Sequence, residues 1–142
     1  MRQILFIMLG LSTVLFASFS KEGNIVTHST TGLQWQDNVI GSSMEWASAI
    51  THCEDLELDG QSDWRLPNLK ELTSIVDDTK TNPSINTAIF EHTASSYYWS
   101  STTYVGNSGD AWYVHFRYGY QYYYNRKSNS SYVRCVRAGE VE

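Results

Sequence analysis

The sequence predicts an α+β domain in which two helices pack on a small twisted antiparallel sheet with long loops. Three observations predict it. Trp46, Ile50, Cys53 and Leu56 recur at helical spacing, as do Leu69, Leu72, Ile75 and Val76. From Tyr97 onward the pattern alternates with period two and is broken by Gly-, Asn- and Ser-rich turns. The 142 residues are 42% hydrophobic and 18% charged, which supports one folded core and not a disordered chain.

Residues 1–20, "MRQILFIMLGLSTVLFASFS", have Arg2 in a short basic start and an apolar stretch from Ile4 to Phe19. The run is short for a spanning helix and ends in small residues, so it reads as a secretory signal peptide. Ser18-Phe19-Ser20 fits a small-x-small cleavage site, with cleavage after Ala17 as the second choice. Residues 21–142 then form a single exported domain, periplasmic, extracellular or on the cell surface, with no stable membrane span. In an oxidising compartment the simplest reading of Cys53 and Cys135 is one disulfide. Two buried free thiols are the alternative. Neither cysteine has the spacing of a zinc or redox motif.

"NIVTHSTTGLQWQ", residues 24–36, reads as two short strands around a Ser-Thr-Thr-Gly turn. Ser42, with Glu45 three residues on, predicts a capped start for the first helix. Cys53 shares that helix's apolar face and so points into the core. Asn68 and Glu71 predict a second capping box, and Asp77 and Asp78 fall at the unfavourable end of that helix's dipole. Residues 79–96 have little periodicity and read as a long loop. "YYWSSTT", "AWYVHFR", "YQYYYNR" and "YVRCVR" then read as strands of one antiparallel meander, with Trp112, Val114 and Phe116 facing the core and Tyr113, His115 and Arg117 facing away.

The segments "VTHSTTGLQWQDN", "DGQSDWRLPNLKELTSIVD", "YWSSTTYVGNSGDAWYVHF" and "YVRCVRAG", with Trp46 and Cys53 between the first two, occur in this order. Together they resemble the Lcl C-terminal domain family, named after a collagen-like bacterial adhesin. The resemblance implies a C-type-lectin-like fold and a disulfide from the first helix to the last strand, in agreement with the pairing reached from export. It also implies binding of sulfated glycosaminoglycans and of host or biofilm surfaces. True C-type lectins resemble a Glu-Pro-Asn and Trp-Asn-Asp pattern at their calcium sites. Asn82-Pro83-Ser84 and Gly109-Asp110-Ala111-Trp112 do not fit it, so no calcium sugar site is expected. Tyr118 to Ser131 also resembles the Tyr-, Asn- and Ser-rich variable segment of diversity-generating retroelement proteins.

The net charge of −5 argues against nucleic acid as a partner. Arg117, Arg126, Lys127, Arg134 and Arg137 gather in the last quarter of the chain and read as scattered solvated cations, with an anion-facing patch as the rival. His28, His52, His92 and His115 lack metal-ligand spacing, so no metal or cofactor is expected. Glu54, Asp55, Glu57 and Asp59 read as a solvated helix end. "WRLPNLKEL" faintly resembles a segment of formylglycine-generating enzymes, whose design needs a free active-site cysteine pair. Both cysteines here read as structural, and no catalytic constellation emerges.

The sheet face remains. Tyr113, His115, Arg117, Gln121, Tyr123, Asn125, Arg126 and Lys127 are the candidate ligand-binding residues, because tyrosine and arginine together suit stacking on sugar rings or anchoring a protein partner. Tyr120, Tyr122 and Tyr124 carry the other parity of the same strand, so periodicity leaves the outward face open. The expected role is a non-enzymatic binding module for carbohydrate or a protein surface in adhesion or envelope recognition. A periplasmic enzyme of formylglycine-generating type, a diversified receptor and a structural envelope protein are the alternatives. An oligomer is neither required nor excluded by the sequence.

Overall fold

The computed structural model describes residues 18–139, except the side chains of Tyr123 and Tyr124. Residues 1–17, which carry most of the expected signal peptide, lie outside the described residues. Ser18 to Ser20 lie inside them and belong to the fold. No helix among the described residues is long and apolar enough to cross a membrane.

Two antiparallel sheets replace the single meander. Strands β1 (Phe19–Glu22), β2 (Ile25–His28), β3 (Gln34–Gln36) and β7 (Val136–Arg137) form one, in that spatial order. Strands β4 (Tyr97–Thr103), β5 (Asp110–His115) and β6 (Tyr120–Arg126) form the other. Helices α1 (Trp46–Glu54) and α2 (Leu69–Thr73) lie between β3 and β4 in sequence. The last expected strand does not return to β6. It makes a parallel bridge from Tyr132 to Tyr98, then pairs Val136 with both Trp35 and Arg65. The segment is drawn away because Cys135 is bonded to Cys53, 82 positions earlier. A crosslink closing so long a loop restricts the unfolded chain by about 4–5 kcal/mol in the chain-entropy account.

Successive residues of these strands feed two different cores. Ile25, Trp99, Tyr113, Val133 and Cys135 pack with Ala49 and Cys53 of α1. Val26, Tyr98, Val114 and Val136 pack with Leu72, Ile85 and Phe90. Period-two alternation therefore does not mark a solvent face along most of this sheet. Tyr113, expected to face away from the core, is only 8% exposed, while Trp112, expected inside, is half-buried against Tyr104.

The two helices differ in how local their determinants are. Asn68 accepts from the Glu71 amide, and the Glu71 carboxylate accepts from the Asn68 amide, so the expected capping box holds. Asp77 lies beyond the last turn of α2 and accepts from the Thr79 amide and hydroxyl, so it anchors a turn and does not oppose the dipole. The first helix starts at Trp46, not beside Ser42, and Glu45 at its N-cap makes no side-chain capping bond. Met44 instead exchanges two backbone hydrogen bonds with Ser131, which keeps the preceding chain extended. The expected apolar face of α1 is correct, with Ala49 and Cys53 buried at its centre.

Arg134 and Arg137 are buried and paired, and are not solvated cations. Arg137 donates to Asp63 at 2.6 Å and also to Gln34. Arg134 donates to Asp37 at 3.1 Å, to the Gln36 carbonyl at 2.6 Å and to the His92 carbonyl at 2.7 Å. Asp37 is fully buried and also accepts from Lys21 at 2.7 Å and from the amides of Glu91 and His92. Burial alone would raise the Asp37 carboxyl. The Lys21 ammonium, the Arg134 guanidinium and the two amides outweigh that and hold it below the usual carboxylate range.

Removing one member of a buried ion pair leaves the other charge uncompensated. Arg134→Met is therefore expected to lower the unfolding free energy by about 3–5 kcal/mol in urea denaturation at neutral pH. Because the folded Asp37 pKa is depressed, its contribution is full above the ordinary carboxylate value of about 3.9 and is lost as pH falls through the folded value. The stability difference between wild type and Asp37→Asn is thus expected to narrow below about pH 4, measured by the same denaturation series.

Candidate functional site

The hairpin between β5 and β6 determines which tyrosines share a face. His115 pairs with Tyr120 and Tyr113 with Tyr122. On the other side of β5, His115 pairs with Tyr97. Directly opposed residues of an antiparallel pair project to the same side. Tyr97, Tyr113, His115, Tyr120 and Tyr122 therefore stand together, and Tyr118 joins them from the turn.

Their six rings form a closed circuit. Tyr97 meets Tyr113 edge-on at 5.1 Å, and Tyr113 stacks on Tyr122 at 5.3 Å. Tyr122 meets Tyr120 at 6.5 Å, and Tyr120 stacks with Tyr118 at 6.0 Å. Tyr118 meets His115 at 5.4 Å, and His115 lies 4.2 Å from Tyr97. These centroid separations are those of favourable aromatic pairs. The circuit is both a structural cross-strand cluster and an open surface: Tyr97, Tyr118 and Tyr120 are 42%, 49% and 60% exposed.

A polar groove of about 390 Å³ adjoins the rings, lined by Tyr97, Tyr113, Asn125, Asn129 and Ser130. Asn125 reaches it through a bulge. Between Ala111 and Tyr113 of β5 the pairing slips by one residue of β6, so that Asn125 opposes Ala111. Such an extra residue reverses the parity of the rest of the strand. Asn125 donates to Ser131 and accepts from Asn129, which fixes its amide beside the aromatic rings.

The expected site residues divide accordingly. Tyr113, His115 and Asn125 come together at the circuit and groove. Arg117 is exposed at one end, with its guanidinium carbon 5.4 Å from the Tyr118 ring centroid. Arg126 is exposed one position beyond Asn125. Gln121 belongs to the opposite face, where its amide donates to Thr73 of α2. Lys127 is committed elsewhere: its ammonium lies 4.0 Å from the Trp46 ring centroid and donates to Thr103. The Tyr123 side chain lies outside the described residues. Tyr97, Tyr118, Tyr120, Tyr122, Asn129 and Ser130 were not among the expected residues. The signal that could have found Tyr120 and Tyr122 is the turn itself. A four-residue loop between His115 and Tyr120 sets Tyr120 opposite His115 and Tyr122 opposite Tyr113. No sequence signal marks the bulge.

Elsewhere, Asp37, Asp59 and Glu71 serve the fold. Asp37, Glu91 and His92 are the one group of three potential metal ligands among the described residues. Both Asp37 oxygens are already held by Lys21, Arg134 and two amides, so a divalent ion there would have to displace two cations. Asp59, expected on a solvated helix end, accepts from the Asn24 amide and side chain and clamps the β1–β2 turn. Arg65 of the "WRLPN" segment makes a two-pronged ion pair with Glu71 and pairs its backbone with Val136, a structural role. Both cysteines are consumed by the disulfide.

Burial within the circuit lowers the His115 pKa, and nearby Arg117 acts in the same direction, while a hydrogen bond to Ser96 opposes them. His115 Nδ1 accepts from the Arg117 amide at 3.3 Å, which places the proton of the neutral ring on Nε2. A histidine proton-resonance titration is expected to give His115 a midpoint below the ordinary value of about 6.5, and Arg117→Gln is expected to raise it.

Residues 24–137 match the family described as the Lcl C-terminal domain. No curated protein matches the chain.

Proposed function

We propose that this chain, which belongs to the Lcl C-terminal domain family, is an exported, non-enzymatic recognition module of C-type-lectin-like fold that binds carbohydrate through its tyrosine face. The observation that carries the reading is the closed circuit of six aromatic rings, with three tyrosines open to solvent beside a groove lined by two asparagines and a serine. Tyrosine faces offer flat apolar area for the C–H side of a pyranose ring, and amides and hydroxyls satisfy its equatorial oxygens. Both jobs need side chains held in place. The sheet register, the ring contacts and the Asn125 hydrogen bonds do this before a ligand arrives, which reduces the ordering cost of binding.

Charge favours an uncharged or weakly anionic sugar over a densely sulfated one. The chain carries 15 acidic against 10 basic residues, and Arg134, Arg137 and Lys127 are engaged in the fold. An enzyme needs convergent groups in a water-excluding pocket. The groove beside the tyrosines offers amides, hydroxyls and rings, without a carboxylate or thiol among its lining residues.

A glycan array tests the reading. Tyr97→Ala and Tyr120→Ala are each expected to weaken binding to the hits by about fivefold or more, the loss typical of an aromatic anchor. Gln121→Ala, on the opposite face, is expected to bind like wild type. Undiminished binding by both tyrosine variants would remove the face from the mechanism. A clean array together with capture of a defined surface protein would replace carbohydrate with a protein ligand.

A further inference from the structure

We propose that the leader is removed by hydrolysis of the Ala17–Ser18 peptide bond, so that the mature chain begins at Ser18. The proposal rests on the reading of this protein as exported and identifies the bond that a membrane-bound leader peptidase cuts. The sequence offers two cuts: after Ser20, with Ser18 two positions earlier as a small-x-small site, and after Ala17, which is small but has Leu15 two positions earlier. The sequence pattern alone favours the first. The folded product favours the second.

Ser18 is already engaged with the fold. Its amide donates to the Ser29 hydroxyl at 3.0 Å, and its carbonyl accepts from the Ser29 amide at 2.9 Å. Phe19 and Ser20 are the first half of β1 and pair with His28 and Thr27. The Phe19 ring stacks on His28 at 4.4 Å and meets the edge of Phe90 at 5.3 Å. His28 and Phe90 are both buried. A chain cut after Ser20 would lose Ser18, Phe19 and Ser20, uncover two buried rings and leave β2 without half of its partner. Lys21, whose ammonium reaches the buried Asp37, would become the terminal residue and not the third position of a paired strand.

Cleavage after Ala17 keeps all of this. Water adds across the Ala17–Ser18 bond, leaving a carboxylate on Ala17 and an α-ammonium on Ser18. The Ser18 nitrogen is already a donor to Ser29, and an ammonium donates in the same place. The cut after Ala17 thus leaves β1 whole.

The test is the intact mass and N-terminal peptide of the full chain, produced in a bacterial host and recovered from the exported fraction. The expected N-terminus is Ser18. A mature chain starting at Lys21, or at any other residue, would overturn the proposal while leaving the export reading standing. An uncleaved chain in the exported fraction would likewise overturn the proposal alone, and a chain absent from that fraction would overturn both. A second measurement compares purified chains that begin at Ser18 and at Lys21. The shorter one is expected to melt about 5 °C lower or more, and equal melting temperatures would remove the structural argument for the upstream cut.

Discussion

The buried carboxylate of Asp37 is the point on which most of this fold converges. It comes just after β3 and lies in the interior, where an unpaired charge would be very costly. Arg134 meets it from the C-terminal segment, Lys21 from the N-terminal strand, and two backbone amides from the loop at Glu91 and His92. Four stretches distant in sequence are thereby fixed to one another. Arg134 also donates to the Gln36 and His92 carbonyls and the Thr93 hydroxyl, so its guanidinium is satisfied on several sides at once, as a buried arginine must be. Ion pairs of this kind contribute less net stability than their contacts suggest, but they penalise every arrangement that leaves one member alone.

The tyrosine face depends on this constraint at one remove. The segment from Ser131 to Arg137 is held at Cys135 by the disulfide and at Arg134 by Asp37. It runs past β4, bonding Tyr132 to Tyr97 and Trp99, and holds Met44 before α1. Two tryptophans tie the same region: Trp99 donates to the Met44 carbonyl and Trp46 to that of Ser100. Beside the exposed rings, on the same face of the sheet, Trp99, Ala111 and Tyr113 pack against Ala49, Cys53 and Cys135, and on the other face Tyr98, Val114 and Phe116 pack with Leu72, Ile85 and Phe90. The surface rings therefore sit on a well-packed sheet, and a rigid aromatic surface is what recognition by stacking needs.

The features legible in the sequence were those that local chemistry decides. The Asn68–Glu71 box, the apolar face of α1, the strand ranges of β4 and β6 and the long loop before β4 all arise from residues within a turn or two of one another. The features that could not be read were decided by distant partners. Ser42 has the right neighbours for a cap, but Met44 pairs with Ser131 and the helix starts later. "YVRCVR" alternates like a further meander strand, but its cysteine and arginine have partners in the first half of the chain. Tyr113 alternates like a surface residue, but the sheet has a core on each side. The site was half legible for the same reason. Its composition was visible, and of the expected residues Tyr113, His115 and Asn125 come together on the aromatic face. Gln121 was grouped with them but lies on the opposite face, because hairpin register and a bulge are set by pairing and not by composition.

If the ring of tyrosines is the surface that meets the ligand, resonance changes on titrating a bound glycan into isotopically labelled protein should locate it there. Changes in backbone and side-chain signals are expected to concentrate at Tyr97, Tyr113, His115, Tyr118, Tyr120, Tyr122 and Asn125. Changes centred instead on the groove around Leu69, Thr73 and Gln121, or on the polar surface around Glu22, Asp59 and Gln61, would show that the ligand binds elsewhere and the tyrosine face does not carry recognition.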